Sequence, residues 1–178
     1  TLEEFYTSIR LQQEAAHGPE YCHQHDAITR LMAECDVYKE LGTHQGATAA
    51  AACLTNPKRV ELVDITMEKY NKSKHLFEDY CERHGIQLVV KETDSTIQSS
   101  VSACDLLLVD SYHHPAHLAK ELAIHADSVS KYMVFHDTVK PNDRLYQYLV
   151  QFTSGISRWD ILEHHPANVG FTVLRRSV

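Results

Sequence analysis

Residues 37–48 decide the fold of this chain, and they read VYKELGTHQGAT. An apolar, alternating run reaches the acid Glu40, two glycines four positions apart follow it, and an alanine-rich helical pattern runs over 47–54. This order predicts a strand, a tight turn and the N-terminus of a helix. Glycine has no Cβ and tolerates positive φ, so such a turn brings backbone N–H groups up to a ligand. We therefore expect a binding site at the turn that involves Glu40, Gly42, Thr43, His44 and Gly46.

Two common nucleotide motifs are absent from this turn. No Gly-Lys-Ser or Gly-Lys-Thr follows, which excludes a Walker A loop, and His44 stands where the dinucleotide pattern G-x-G-x-x-G has its second glycine. Glu40, at the end of the predicted strand, suits a cationic or hydroxyl-rich group better than a polyphosphate. The turn therefore indicates a small ligand with amino or hydroxyl groups.

Length and composition limit the class of protein. The chain has 178 residues, of which 43% are hydrophobic, and we interpret it as one domain, with a helical leader at 1–36 and an α/β core at 37–178. The net charge is −7 and no basic run occurs, so nucleic acid is a poor partner. The five cysteines form no C-x-x-C pair, which predicts that they are in the reduced state and mostly pack in the interior. No apolar run approaches the ~20 residues of a membrane span, and no signal peptide is visible, so we expect a cytoplasmic protein without a membrane partner.

The remainder of the chain alternates predicted strands and helices. Helical patterns cover 2–16 and a second leader segment starting near Asp26. Strands are predicted at 37–41, 59–64, 86–90, 106–109 and 132–135, and helices at 47–54, 66–84, 96–103, 115–126 and 142–152. Two further strands, 159–163 and 170–175, have no helix between them and indicate an antiparallel hairpin. The pattern predicts a Rossmann-like, doubly wound and mostly parallel α/β sheet that ends in this hairpin.

Polar residues follow the predicted strands, at the sheet edge where doubly wound folds bind their ligands. Asp64 ends the second strand, 22 residues beyond Gly42. An acid at this spacing is typical of a ribose site, because one carboxylate accepts from both the 2′ and the 3′ hydroxyl. Alternatively, Asp64 caps a helix that begins near Thr66.

Residues 40–46, ELGTHQG, resemble motif I of the class I S-adenosylmethionine-dependent methyltransferases, in the E-x-G-x-x-x-G form of the small-molecule branch. The terminal hairpin is also similar to that family. The segments 109–113 and 134–138 are similar to small-molecule O-methyltransferases, typified by the cephalosporin and macrolide-sugar tailoring enzymes. The resemblance extends over residues 20–176. It implies S-adenosylmethionine as cofactor and a small hydroxylated molecule as substrate.

The resemblance also assigns positions around the cofactor. It implies that Asp64 and its neighbour Ile65 contact the nucleoside and that Asp110 belongs to the same site. A polar pair after the third strand meets the adenine amine in such enzymes, which corresponds to Asp94 and Ser95 here; capping of a short helix is the alternative. The leader either covers an edge of the sheet or folds its linker, residues 21–25, over the ligand.

Two routes for methyl transfer stay open. In metal-dependent relatives, ligands come from the ends of strands four and five, which places Asp110, His136 and Asp137 around a divalent cation. Two carboxylates suit Mg²⁺, whereas the imidazole of His136 favours Mn²⁺, iron or zinc as the bound metal. Without a metal, His113 or His136 would act as general base near the unperturbed pKa of about 6.5, and Asp137 would orient it or the acceptor.

Three functions follow from these observations. We favour an S-adenosylmethionine-dependent O-methyltransferase. A degenerate, cofactor-binding partner or scaffold protein is the alternative, because the segment 139–144, where larger relatives insert substrate-binding elements, is short. A substrate pocket would then be completed by the leader, by the helix near Tyr146 or by another subunit of a homo-oligomer. A nicotinamide-dependent oxidoreductase is disfavoured by the missing glycine and by the terminal hairpin.

Overall fold

The structure is a computed structural model, and it describes residues 1–139, 142–155 and 158–177. Six α-helices are described: α1 (Leu2–His17), α2 (His23–Met32), α3 (Ala47–Cys53), α4 (Lys74–His84), α5 (Pro115–His125) and α6 (Arg144–Thr153). The sheet strands are β1 (Val37–Leu41), β2 (Arg59–Asp64), β3 (Gln87–Glu92), β4 (Cys104–Val109), β5 (Val129–His136), β6 (Trp159–His165) and β7 (Phe171–Arg176). Lys140 and Pro141, within the short segment 139–144, lie outside the described residues.

The seven strands form one sheet in the order β3-β2-β1-β4-β5-β7-β6. The pairs from β3 to β5 are parallel, whereas β7 pairs antiparallel with both β5 and β6. This confirms the predicted doubly wound sheet with a C-terminal antiparallel hairpin. The antiparallel strand β7 lies one position inside the edge, because β6 covers it. The strand order reverses between β1 and β4, which opens a crevice at their carboxyl ends.

Alternate residues of β4 point into two separate cores. Leu106 and Leu108 belong to the core beneath α1 to α4, and Leu107 and Val109 belong to the core beneath α5 and α6. All four side chains are buried. Helices on both faces of the sheet therefore explain why residues 106–109 are apolar without interruption, a pattern that is typical of parallel strands. This packing fixes the strand ends that carry the polar residues.

Two predicted helices are wrong in extent. The region 66–84 contains a 3₁₀ turn, Tyr70–Lys72, and only then α4, because Ser73 interrupts the helix. The region 96–103 contains no α-helix but a single 3₁₀ turn at Gln98–Ser100. The helical spacing of Met67 and Tyr70 reflects burial of a turn in the core rather than a helix.

The second leader helix begins earlier than predicted. A 3₁₀ turn at Pro19–Cys22 joins α1 to α2, which begins at His23 and not near Asp26. Arg10 on α1 donates hydrogen bonds of 2.6 and 3.0 Å to the Asp26 carboxylate, and this pair ties the two helices together. Leu2 and Ile28 enter the core that contains α3 and α4. The leader therefore covers one face of the sheet.

A buried ion pair fixes the segment between β3 and β4. Lys39 and Glu61, on adjacent strands, are each 1% exposed and lie 3.3 Å apart. The Lys39 ammonium also donates to the Ser100 carbonyl at 2.5 Å. Since an unpaired buried ammonium is costly, this contact holds the polar loop after β3 against the sheet. None of the helices in the described part of the chain has the length and apolarity needed to cross a bilayer.

Candidate functional site

The turn after β1 requires its two glycines. Gly42 has φ of 91° and Gly46 has φ of 86°, both in the left-handed region that favours glycine. A Cβ on Gly42 would lie 2.1 Å from the Asp110 carbonyl oxygen, and one on Gly46 would lie 2.9 Å from Phe77. Between them, His44 also adopts positive φ, at 49°. The predicted tight glycine turn is confirmed, and it passes directly against the end of β4.

Glu40 is not part of the cavity walls. Its side chain is fully buried beneath the turn, where it accepts hydrogen bonds from Tyr38 Oη at 2.7 Å and Thr48 Oγ1 at 2.9 Å. Burial raises the pKa of Glu40 to about 8, although the two hydrogen bonds oppose this rise. The predicted direct contact of Glu40 with a ligand is thus replaced by support of the turn from below. An acid at a strand end faces either the cleft or the core, and sequence alone did not distinguish the two.

Asp64 stands at the carboxyl end of β2 and braces the turn. Its Oδ2 accepts the backbone N–H of His44 at 2.8 Å, and its Oδ1 accepts that of Thr66 at 3.2 Å. No helix begins at Thr66, since α4 starts at Lys74, so the helix-cap interpretation is wrong. Each carboxylate oxygen has a second lone pair beyond these hydrogen bonds, and Asp64 lines a cavity.

This cavity, called cavity A here, has a volume of about 500 Å³ and lies at the ends of β2, β3 and β4. Ile65 and Tyr112 line it and are 70% and 67% exposed, unusual values for such large apolar side chains. Asp94 and Ser95 line it as well. Asp94 Oδ1 also accepts the Thr96 backbone N–H at 2.7 Å, which makes a local turn rather than a helix cap.

A second cavity, called cavity B here, has a volume of about 270 Å³ and lies between the turn and the leader. The leader contributes Gln13, Tyr21, Gln24 and His25 to its wall. Cavities A and B share four lining residues and are therefore neighbours across the turn: Gly42, His44, Asp110 and Ser111. The linker at 21–25 does fold over the strand ends, in agreement with the second interpretation of the leader.

The titratable residues at the ends of β4 and β5 form a four-membered cluster in the wall of cavity B. His113 places Nε2 3.0 Å from Asp110 Oδ1 and Nδ1 2.9 Å from Asp137 Oδ2. His136 Nδ1 lies 3.2 Å from the same Asp110 oxygen and 3.5 Å from Asp137. One ligand atom from each of the four residues lies within 4.8 Å of all the others. The structure thus adds His113 to the three predicted metal ligands Asp110, His136 and Asp137.

Mutual charge stabilisation governs the cluster. Burial alone lowers the pKa of both imidazoles, but the two carboxylates outweigh it and raise the pKa of His113 to about 9 and of His136 to about 10. Burial raises the pKa of Asp137, and the two histidines more than offset this, so its pKa falls below the ordinary value. Both shifts run upward from the pKa of about 6.5 that the general-base prediction assumed, so the two carboxylates favour the protonated form of each imidazole.

Two buried polar atoms around cavity B lack a hydrogen-bond partner among the described residues. They are His25 Nδ1 and His136 Nε2, on side chains that are 4% exposed or less and line the cavity. Burial lowers the pKa of His25 to about 4, so this imidazole is neutral at pH 7. Unpaired buried polar atoms are rare in proteins, and their convergence indicates a wall that is completed by a polar ligand.

Sequence reasoning missed several residues of the site. Gln13 and Gln24 carry no motif, and only the packing of the leader brings them to cavity B. Glu121 and His125 are buried on α5 together with the apolar positions Leu118 and Leu122, and His117 lies one turn before Glu121. Their spacing of four residues was the signal that could have revealed a polar stripe on one helix face.

Several solved structures with the same fold are methyltransferases. A methyltransferase from Geobacter sulfurreducens superimposes with a TM-score of 0.68 at 12% identity, over 87% of this chain and 79% of that chain. The O-methyltransferase TomG from Streptomyces achromogenes, in complex with S-adenosylmethionine, gives 0.63 at 12% identity over 87% and 80%. The S-adenosylhomocysteine-bound methyltransferase PaMTH1 from Podospora anserina gives 0.59 at 16% identity over 87% and 78%. No family model matches the sequence, and no curated protein matches it either.

These likenesses define the fold. The parallel core, the strand order and the antiparallel C-terminal hairpin are those of the class I methyltransferases. At 11 to 17% identity the neighbours show the fold of this chain and assign no role to its individual residues.

Proposed function

We propose that the chain is an S-adenosylmethionine-dependent methyltransferase that acts on a hydroxyl group of a small molecule. The observation that carries this proposal is the pair of adjoining cavities on either side of the Gly42 turn. Cavity A offers a strand-end carboxylate, Asp64, and the exposed faces of Ile65 and Tyr112, which suit a ribose and a flat base. Cavity B offers polar groups and the charged cluster, which suit an amino-acid arm and an acceptor.

The size and lining of cavity B favour a small, polar acceptor. Its volume of about 270 Å³ lies just below the range of about 300–1,000 Å³ that is typical of ligand pockets. The neutral groups of Gln13, Gln24 and His25 form its leader side and can hydrogen-bond a hydroxylated molecule. Methyl transfer from a sulfonium is an in-line displacement, so positioning of the acceptor oxygen is the main task of such a wall.

The cluster fits a divalent cation, by the chemistry of its donors. Asp110 and Asp137 supply carboxylates, and His113 and His136 supply imidazoles; the mixed set favours manganese, iron or zinc over magnesium. A cation bound there supplies Lewis acidity that lowers the pKa of an acceptor hydroxyl. The two carboxylates raise the pKa of both imidazoles, which makes each imidazole less available to take a proton from an acceptor hydroxyl. This direction counts against the general-base route, and the donor chemistry of the cluster is what supports the metal route.

Calorimetry with S-adenosylmethionine, S-adenosylhomocysteine and NAD tests the cofactor. We expect both sulfur compounds to bind and NAD not to bind. Asp64→Asn keeps an acceptor for the His44 N–H but loses the charge, and we expect it to weaken S-adenosylhomocysteine binding about tenfold or more. Asp36→Asn, at the opposite end of the strands, is the matched control. Absence of binding by either sulfur compound would reject the proposal.

Transfer itself is tested with a labelled methyl group and a panel of catechols, sugars and polyols. Methylation of any member supports the enzyme. Cofactor binding without transfer to any acceptor would support the alternative, a degenerate cofactor-binding partner or scaffold protein. The short segment around 139–144 is the feature that favours this alternative, because it leaves acceptor binding to the leader.

A further inference from the structure

A polar stripe on α5 faces the loop that follows β3. His117, Glu121 and His125 occur at intervals of four residues and therefore lie above one another on the helix. Glu121 and His125 are each 1% exposed. His125 Nε2 lies 2.8 Å from the Ser95 carbonyl oxygen, a hydrogen bond that fixes the backbone of this loop. The stripe thus reaches Ser95, one of the residues that line cavity A.

Glu121 ties together two serines from different loops. Its Oε1 accepts the Ser95 hydroxyl at 2.5 Å and the Ser111 hydroxyl at 2.6 Å, and His117 Nε2 lies 3.3 Å from the same oxygen. Ser95 follows β3 and Ser111 follows β4, so one buried carboxylate bridges the ends of both strands. Its other oxygen has no hydrogen-bond partner among the residues that the structure describes.

The direction of these hydrogen bonds fixes the polarity of the cavity wall. Both serines donate to Glu121 Oε1, so each directs its single hydroxyl hydrogen at this carboxyl oxygen. Only lone pairs then remain on the two serine oxygens, and both residues line cavity A. His117 also lines cavity A, but its Nε2 lies 3.3 Å from Glu121 Oε1 and 3.5 Å from Ser95 Oγ and is engaged with the same group. At the two serine oxygens the wall therefore accepts hydrogen bonds and does not donate them.

We propose that Glu121 is a positioning residue that makes cavity A select a ligand with an amino group over one with a carbonyl group at the same place. This inference rests on the proposed function, in which cavity A holds a nucleoside. An exocyclic amine donates to the serine oxygens, whereas a carbonyl oxygen meets their lone pairs and stays unpaired. A site built for one partner rejects the other because its buried polar groups are then unsatisfied.

The test compares S-adenosylhomocysteine with its deaminated analogue, in which inosine replaces adenosine. We expect the wild-type protein to bind the amino compound about 10- to 100-fold more tightly by calorimetry. Glu121→Met removes the acceptor at similar side-chain size, so the serine hydroxyls can rotate and donate to a carbonyl. We expect the ratio of the two dissociation constants to fall to within about threefold.

His125→Leu is the matched control, because His125 holds the same loop through the Ser95 backbone and does not line cavity A. We expect it to weaken both ligands alike and to preserve their ratio. If Glu121→Met does not fold, as judged by circular dichroism, Ser111→Ala replaces it as the test variant. It removes one acceptor from the wall and should partly reduce the ratio of the two dissociation constants.

The outcomes separate the inference from the proposed function. Wild-type protein that binds neither compound overturns both. Wild-type protein that binds S-adenosylhomocysteine with no preference over the inosine analogue overturns the role of Glu121 and leaves the cofactor assignment intact. The role of Glu121 is also overturned if Glu121→Met, or Ser111→Ala in its place, retains the full wild-type ratio. A ratio that falls with Glu121→Met but persists with His125→Leu supports the inference.

Discussion

The Asp110 carbonyl oxygen lies 2.1 Å from the position that a Cβ on Gly42 would occupy. This approach closes the gap between the ends of β1 and β4 and sets the boundary between cavities A and B, since both residues line both cavities. The glycine turn therefore does two things at once. It exposes backbone to a ligand. It also lets the end of β4, which carries Asp110 of the charged cluster, approach the end of β1.

Gly42→Ala should destabilise the protein by at least about 2 kcal/mol, because strain from positive φ adds to the clash with Asp110. Gly85→Ala is the matched control: it also has positive φ, at 68°, but a Cβ there meets nothing within 4 Å. The control should cost about 1 kcal/mol. Urea unfolding measures both variants, and equal losses would contradict the close approach of β4.

Glu40 should make stability depend on pH. Its pKa rises from 4.5 in the unfolded chain to about 8 on burial, so the folded state holds the extra proton between these values. The free energy of unfolding should therefore fall as the pH rises from about 5 to 8, with a contribution of up to about 1.4 kcal/mol per pH unit.

Glu40→Gln keeps acceptors for Tyr38 and Thr48 and cannot ionise, so it should remove this contribution and be more stable than the wild type at pH 8. Urea unfolding across the pH range gives the difference between the two proteins. Glu78→Gln, on the exposed face of α4, should leave the profile of the wild type unchanged. Parallel profiles for wild type and Glu40→Gln would show that Glu40 ionises normally.

Asp137→Asn should weaken Mn²⁺ binding tenfold or more, since it removes one of two carboxylates from the donor set. Electron paramagnetic resonance counts free Mn²⁺ without any need for activity. Asp143→Asn is the control: an exposed acid six residues further along the chain. Chelation should abolish methyl transfer by the wild-type protein, and activity that is indifferent to chelation would remove the cluster as a metal site.

The same substitution should lower the pKa of His113 in the metal-free protein. The rise to about 9 depends on the carboxylates of Asp110 and Asp137, so losing one charge leaves burial with less opposition. A nuclear magnetic resonance titration of the imidazole should therefore show its midpoint at lower pH in Asp137→Asn than in the wild type. An unchanged midpoint would show that the two side chains do not interact in solution.

Gln24→Leu should separate stability from function. Gln24 is 3% exposed and lines cavity B, and a buried amide is costly unless it is paired. The variant should gain up to about 1 kcal/mol of stability and raise KM for the acceptor about tenfold, with a smaller change in S-adenosylhomocysteine affinity. Gln12→Leu, exposed on α1, should change neither constant. A larger effect on the cofactor than on the acceptor would show that Gln24 faces the cofactor.

The sequence by itself determined the order of strands and helices along the chain and the glycine turn. It also placed Asp64, Asp110, His136 and Asp137 at the ends of strands. These follow from local rules: an apolar run buried on both faces has the same pattern in any parallel sheet, and polar residues after such runs must gather at one edge. The same rules overextended the helices at 66–84 and 96–103, because buried turns show helical spacing over short stretches.

Only the tertiary structure decided what each polar residue faces. Glu40 is buried in the core, and His113 belongs to the charged cluster, which raises its pKa. Glu121 bridges Ser95 and Ser111. The leader supplied Gln24 and His25 to cavity B from the other side of the turn. Hydrogen-bond partners and pKa values depend on distances of a few ångströms between elements far apart in the chain, and no local pattern contains those distances.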